Sequence, residues 1–157
     1  MTEQTAVRYD IDADGIVTLT LDDPNQSANT MNALYQSSMK AAVERLYAEA
    51  DQVTGVVVTS AKKTFFAGGD LKLLLQARRE NATDVFTEVE NLKAVLRKLE
   101  TFPKPVVAAI NGAALGGGLE IALATNYRIA VDGKYGIGLP EVKLGLLPGG
   151  GGLTRLT

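Results

Sequence analysis

Pro105-Val106-Val107-Ala108-Ala109-Ile110-Asn111-Gly112, running on into Ala113-Ala114-Leu115-Gly116-Gly117-Gly118-Leu119-Glu120-Ile121-Ala122-Leu123-Ala124-Thr125, is the stretch around which the chain is organised. A short apolar run closed by Asn-Gly predicts a buried strand ending in a turn, and three glycines then lead into a helix with apolar flanks. Glu120 alone breaks that apolarity. An unpaired buried charge is costly and usually shifts its pKa instead of staying ionised, so a carboxylate here needs a reason. A second one, Glu141, follows 21 positions later in Gly138-Leu139-Pro140-Glu141-Val142, again among apolar residues. Two such carboxylates can share one pocket.

Composition limits what the pocket belongs to. With 157 residues, 46% hydrophobic, 22% charged and a formal net charge of −2, the chain suits one globular domain with a core. That charge gives no electrostatic reason to expect nucleic acid. There is no Cys and no His, which removes disulfides, thiol nucleophiles, imidazole bases and most zinc-site chemistry. Catalysis would fall to carboxylates, amines, hydroxyls or backbone amides, with no metal site. No stretch approaches the roughly 20 apolar residues that cross a bilayer, and Met1-Thr2-Glu3-Gln4-Thr5 is not a secretory leader, so a cytoplasmic protein is expected.

Toward the N-terminus, Val7–Ile11 and Ile16–Leu21 alternate as two strands joined by Asp12-Ala13-Asp14-Gly15, whose Asp-Gly supplies a hairpin turn. Asp22 to Asn29 reads as a polar loop. Leu34, Met39, Val43 and Leu46 fall near helical spacing within Met31 to Ala50, and the β-branched run Gly55-Val56-Val57-Val58-Thr59-Ser60 predicts a strand covered on both faces. A loop follows, Ala61-Lys62-Lys63-Thr64-Phe65-Phe66-Ala67-Gly68-Gly69-Asp70-Leu71-Lys72, of the kind that carries function at strand ends. Val85, Val89, Leu92, Val95, Leu96 and Leu99 then mark a second amphipathic helix over Thr83 to Glu100. Strands alternating with helices give an α/β layered fold.

Three motifs in order, Phe66-Ala67-Gly68-Gly69-Asp70-Leu71, Ile110 to Glu120 and Gly138 to Gly149, resemble the crotonase (enoyl-CoA hydratase/isomerase) superfamily, and more narrowly the hydratase part of a multifunctional fatty-acid β-oxidation protein. The resemblance runs from Gly15 to Arg155. It implies a repeated ββα spiral with acyl-CoA bent through a crevice between its turns, coenzyme A being part of the substrate and no separate cofactor being needed. Matched position by position, Glu120 and Glu141 correspond to the catalytic carboxylates. The N–H groups of Ala67 and Gly117 would form the oxyanion hole. Asn29, Met31, Lys62, Lys63, Gly68, Gly69, Asp70, Leu71, Gly116, Pro140 and Gly149 would contact substrate or coenzyme A. The implied partners are copies of the same chain or, in a β-oxidation complex, a thiolase.

The chemistry explains those residue types. Adding water across an enoyl thioester builds negative charge on the thioester oxygen as C3 is attacked, and donors aimed at that oxygen lower the barrier. Glycines at 116 to 118 admit substrate close to the backbone, and the helix N-terminus adds a favourable dipole. Two carboxylates of offset protonation can divide the remaining work, Glu120 activating the water and Glu141 handling the C2 proton.

Each feature also has a plainer reading. Glu120 alone would be a dipole or capping residue, and Glu141 an exposed turn carboxylate. Asp70 suits an N-cap for a helix beginning near Leu71, Ala67-Gly68-Gly69 a tight turn, and Lys62 and Lys63 a solvated pair. Gly149-Gly150-Gly151-Gly152 is not a P-loop, since no Lys-Ser or Lys-Thr follows. Hydration leads because both carboxylates are present. The alternatives are isomerisation, another acyl-CoA reaction of the superfamily, and a non-catalytic acyl-CoA-binding or assembly module. Crotonase domains normally continue for roughly another hundred residues. Residues 1–157 therefore read as the N-terminal core of such a domain, truncated at its C-terminus, with an acyl pocket open on one side and apolar surface exposed.

Overall fold

The computed structural model describes residues 4–70 and 78–157. Strands β1 (Val7–Ile11) and β2 (Ile16–Leu21) pair antiparallel. Their turn is fixed by Asp12, whose Oδ1 accepts the N–H groups of Asp14 and Ile16, and by Gly15 at φ +77°. Period-two alternation then drives Val17, Leu19 and Leu21 into the core.

Strands β3 (Gly55–Ser60), β4 (Val106–Ile110) and β6 (Tyr127–Ala130) add in parallel, giving the order β1-β2-β3-β4-β6. A second, smaller layer lies alongside. It contains β5 (Ala114–Leu115) paired in parallel with β7 (Ile137–Gly138), and single-residue bridges join Met31 to Gly69 and Phe66 to Ala114. Each turn of the chain thus lays one strand in the large sheet and one short extended piece in the small layer. In the first and third turns a helix comes directly next: α1 (Ala33–Ala48) after Met31, and α3 (Gly117–Leu123) after β5. In the second turn α2 (Ala82–Glu100) precedes β4. This is the expected α/β architecture of repeated ββα turns, and no helix among the described residues is long and apolar enough to cross a membrane.

The differences from the sequence reading have local causes. Met31 is extended because its N–H donates to the Gly68 carbonyl, so α1 starts only at Ala33, capped by the Asn32 side chain, which accepts the Tyr35 N–H at 2.8 Å. β3 is buried on one face and half-covered on the other. In α2 only Leu96 and Leu99 are fully buried, each contributing about 1.5–3 kcal/mol. Val85, Val89 and Leu92 instead face a cleft. The helix expected near Leu71 lies outside the described residues. β6 is exposed along its length, with Tyr127 at 70% and Ile129 at 66%.

Candidate active site

Glu120 sits in the first turn of α3, and the three glycines before it make that position possible. Gly116 turns the chain at φ +52°, where a side chain would be strained. A Cβ on Gly117 would lie 2.6 Å from Met31 Cε, and one on Gly118 2.7 Å from both Cβ and the carbonyl oxygen of Phe66. The helix start is therefore pressed onto the small layer, with the Gly68 backbone beside Gly116 and Gly117.

Glu120 is 3% exposed, and its Oε1 accepts the Gly152 N–H at 2.8 Å. Burial pushes its carboxyl above the usual carboxylate range. The Gly152 and Gly150 amides and Arg155 oppose that rise, whereas the neighbouring charge of Glu141 adds to it. Glu141 opens a 3₁₀ turn (Glu141–Leu144) and reaches back across α3, so that a Cβ on Gly116 would sit 2.6 Å from its Oε1. Its Oε2 is buried without a hydrogen-bond partner among the described residues. The two carboxylates flank one glycine-rich helix start and line one cleft of about 1030 Å³.

Most of the residues singled out from sequence converge there. Met31, Ala67, Gly68, Gly69, Asp70, Gly116, Gly117, Pro140 and Gly149 all line the cleft with Glu120 and Glu141. Its apolar lining comes from Val85, Val89 and Leu92 of α2 and from Leu144, Leu146 and Leu147, while Asn25, Gln26 and Ser27 add a polar stretch.

Five expectations need other terms. The Ala67 N–H donates to the Asn29 carbonyl at 2.8 Å, so it is not a free donor. Two residues on, the Gly69 N–H has no acceptor among the described residues, and neither has that of Gly117 at the open end of α3. Gly68 and Gly69 on this loop and Gly117 on α3 thus each carry an N–H with no acceptor among the described residues, and all three residues line the cleft. Asn29 is a buried staple: its amide donates to the Leu21 carbonyl and Ser60 Oγ, and its Oδ1 accepts the Asp23 N–H. Lys62 is tied to Asp22 Oδ1 at 2.9 Å and to the Asp23 carbonyl at 2.8 Å, outside the cleft. Lys63 is exposed and also outside it, and Leu71 lies beyond the described residues.

Sequence reasoning missed Gly150 and Gly152. A Cβ on Gly150 would lie 2.6 Å from Glu120 Oε2, and one on Gly152 2.9 Å from its Cγ, so the glycine run that resembled a phosphate loop is shaped around a carboxylate. The available signal was that run following Glu141 so closely.

Paired carboxylates above the glycine-rich start of a helix, on a ββα spiral, define a class. The model of the enoyl-CoA hydratase/isomerase family matches residues 12–157, and the chain belongs to that family. It is 41% identical over 158 residues to the fatty acid oxidation complex subunit alpha of Idiomarina loihiensis and 42% identical over 162 residues to that of Vibrio campbellii. In both cases 99% of this chain is aligned, and it spans 22% of the relative. Among solved structures, an enoyl-CoA hydratase of Geobacillus kaustophilus superposes with TM-score 0.87 at 30% identity, covering 99% of this chain and 56% of that one. One from Bacillus anthracis gives 0.84 at 32% identity, covering 97% and 57%. The chain thus spans about a fifth of the length of the curated relatives and somewhat over half of the solved hydratases, whose crotonase fold it shares.

Proposed function

We propose that the cleft hydrates trans-2-enoyl-CoA thioesters to 3-hydroxyacyl-CoA, as one step of fatty-acid β-oxidation. The observation that carries this is that the Glu120 and Glu141 carboxylates share one cleft with the Gly69 and Gly117 amides, which have no acceptor among the described residues. The thioester oxygen accepts from the Gly69 and Gly117 N–H groups, which stabilise the enolate as water adds at C3; losing one such donor costs about 3 kcal/mol in comparable sites. Glu120 takes the proton from that water. A carboxyl raised by burial is a stronger base near neutral pH than an ordinary one, which suits this role. Glu141, across the Gly116 turn from Glu120, handles the proton delivered to C2, so that the H and OH of one water are added across the double bond. The acyl chain runs along Val85, Val89 and Leu92, and the polar stretch of Asn25, Gln26 and Ser27 receives coenzyme A.

Isomerisation of the same substrates is the second reading, since two carboxylates on either side of C2 can also move a proton between carbons. A cytoplasmic setting, self-association and a thiolase partner go with the same β-oxidation reading, for which the support is that the relatives are named as subunits of a fatty acid oxidation complex. The test is hydration of crotonyl-CoA by this chain and by Glu120→Gln and Glu141→Gln. The reading expects both variants to lose about 100-fold or more in kcat; a near-native rate in either removes that residue from the mechanism.

A further inference from the structure

Arg155 lies behind the site rather than in it. It is 12% exposed and does not line the cleft. Its Nη1 donates to the Gly150 carbonyl at 3.0 Å, its Nη2 to Glu100 Oε2 at 3.0 Å, and its backbone N–H to the Gly151 carbonyl at 3.2 Å. A Cβ on Gly151 would lie 2.5 Å from Nη1, so this turn is shaped around the guanidinium as closely as its other side is shaped around Glu120. Glu100 is the last residue of α2 and also pairs with Arg97 at 3.0 Å. A planar guanidinium with acceptors on two separate elements fixes one against the other, which a flexible ammonium does poorly.

We propose that Arg155 is a positioning residue. Anchored by Glu100, it clamps the Gly150–Gly152 turn onto Glu120 and so sets where that carboxylate points in the cleft. The role rests on the reading of Glu120 as the base in hydration. The continuous path is Glu100 carboxylate, Arg155 guanidinium, Gly150 carbonyl, Gly152 amide and Glu120 carboxylate. The charged groups facing Glu120 are Glu141 from the 3₁₀ turn and Arg155 from the helix Gly152–Leu156, and the second opposes the upward push of burial. Removing the clamp therefore loosens the turn and lets the Glu120 carboxyl rise further.

The experiment compares Arg155→Gln, Arg155→Lys and Glu100→Gln in the full 157-residue chain, with Arg97→Gln as control. Three properties are followed: hydrogen exchange of the Gly152 amide, titration of the ¹³C-labelled Glu120 carboxyl, and kcat and KM for crotonyl-CoA against pH. Arg155→Gln and Glu100→Gln are expected to speed Gly152 exchange roughly tenfold, the net worth of one hydrogen bond. They should also move the Glu120 titration and the acid limb of kcat upward while leaving KM unchanged. Arg155→Lys keeps the charge, so it restores the titration but not the exchange protection, and Arg97→Gln changes neither.

Unchanged Gly152 exchange and unchanged Glu120 titration in a folded Arg155→Gln or Glu100→Gln chain overturn the proposal. Should Arg155→Gln fail to fold, Glu100→Gln and Arg155→Lys decide by the same criteria. A chain that responds in exchange and titration yet hydrates nothing keeps the clamp and loses the hydratase reading. An active chain that responds in neither loses the clamp alone.

Discussion

The Ala67 N–H donates to the Asn29 carbonyl at 2.8 Å, and that one bond decides which amide of the loop is left for a substrate. With Ala67 spent, the loop amides with no acceptor among the described residues are those of Gly68 and Gly69, and Gly69 is the one proposed to meet the thioester oxygen together with Gly117. Asn29 thereby acts through the backbone, and its buried side chain holds the loop from the other side. Replacing Asn29 with Ala leaves the Leu21 carbonyl and the Asp23 N–H without these partners. The expected loss is about 2–4 kcal/mol of folding stability, read by urea unfolding, with KM for crotonyl-CoA little changed at temperatures where the variant stays folded. A large KM effect without loss of stability would return Asn29 to the substrate.

Glu120→Gln separates stability from activity. Because burial raises its carboxyl above the unfolded value, the native state binds that proton more tightly than the unfolded chain does. Its contribution to stability is therefore full below the unfolded pKa and is lost as pH rises through the folded one. Glu120→Gln removes that loss, so its melting temperature should exceed that of the parent at pH 7, with the gain shrinking as pH falls toward the ordinary carboxylate range. Thermal melts across pH check this, and a variant less stable than the parent at pH 7 contradicts it.

Gly116→Ala is expected to damage both fold and site. The residue sits at φ +52°, and an added methyl would meet Glu141 Oε1 at 2.6 Å. The backbone strain costs about 1–2 kcal/mol, and displacement of Glu141 lowers kcat. Gly138→Ala is the control, since a Cβ there meets nothing within 4 Å. Denaturant midpoints and kcat for the two variants should differ clearly.

Lys62 gives a pH-dependent prediction of the opposite sense. Its hydrogen bond to Asp22 holds that carboxyl below the usual range, with Arg8 adding to the effect. The pair's contribution is present above the unfolded pKa of Asp22 and disappears as pH falls through the folded one. Lys62→Met should therefore cost about 0.5–1 kcal/mol at pH 7 and progressively less in acid. Its effect on KM for crotonyl-CoA should be small.

Much of this was legible in the residues because local chemistry dictated it. The Asp-Gly hairpin, the β-branched run at 55–60 and the two isolated glutamates each carry their own signal, and each stands where that signal put it. The small layer was not legible in the same way: a one-residue bridge such as Met31 to Gly69 has no periodicity, so Met31 looked like the first turn of α1. Val85 and Val89 kept helical spacing but face a cleft, because spacing fixes a shared side of the helix and not what lies opposite it. The contacts of Gly150, Gly152 and Arg155 are with partners thirty or more residues away, and the removal of the Ala67 amide turned on a hydrogen bond that no composition encodes.

The most direct test follows the backbone amides themselves while acetoacetyl-CoA, an enolisable analogue of the substrate, is titrated into ¹⁵N-labelled chain. The account predicts large downfield shifts of the Gly69 and Gly117 amide protons as the thioester oxygen engages them, with Ala67 nearly unmoved. Saturable binding that shifts Ala67 and leaves Gly69 in place, or that leaves all three unperturbed, would contradict it.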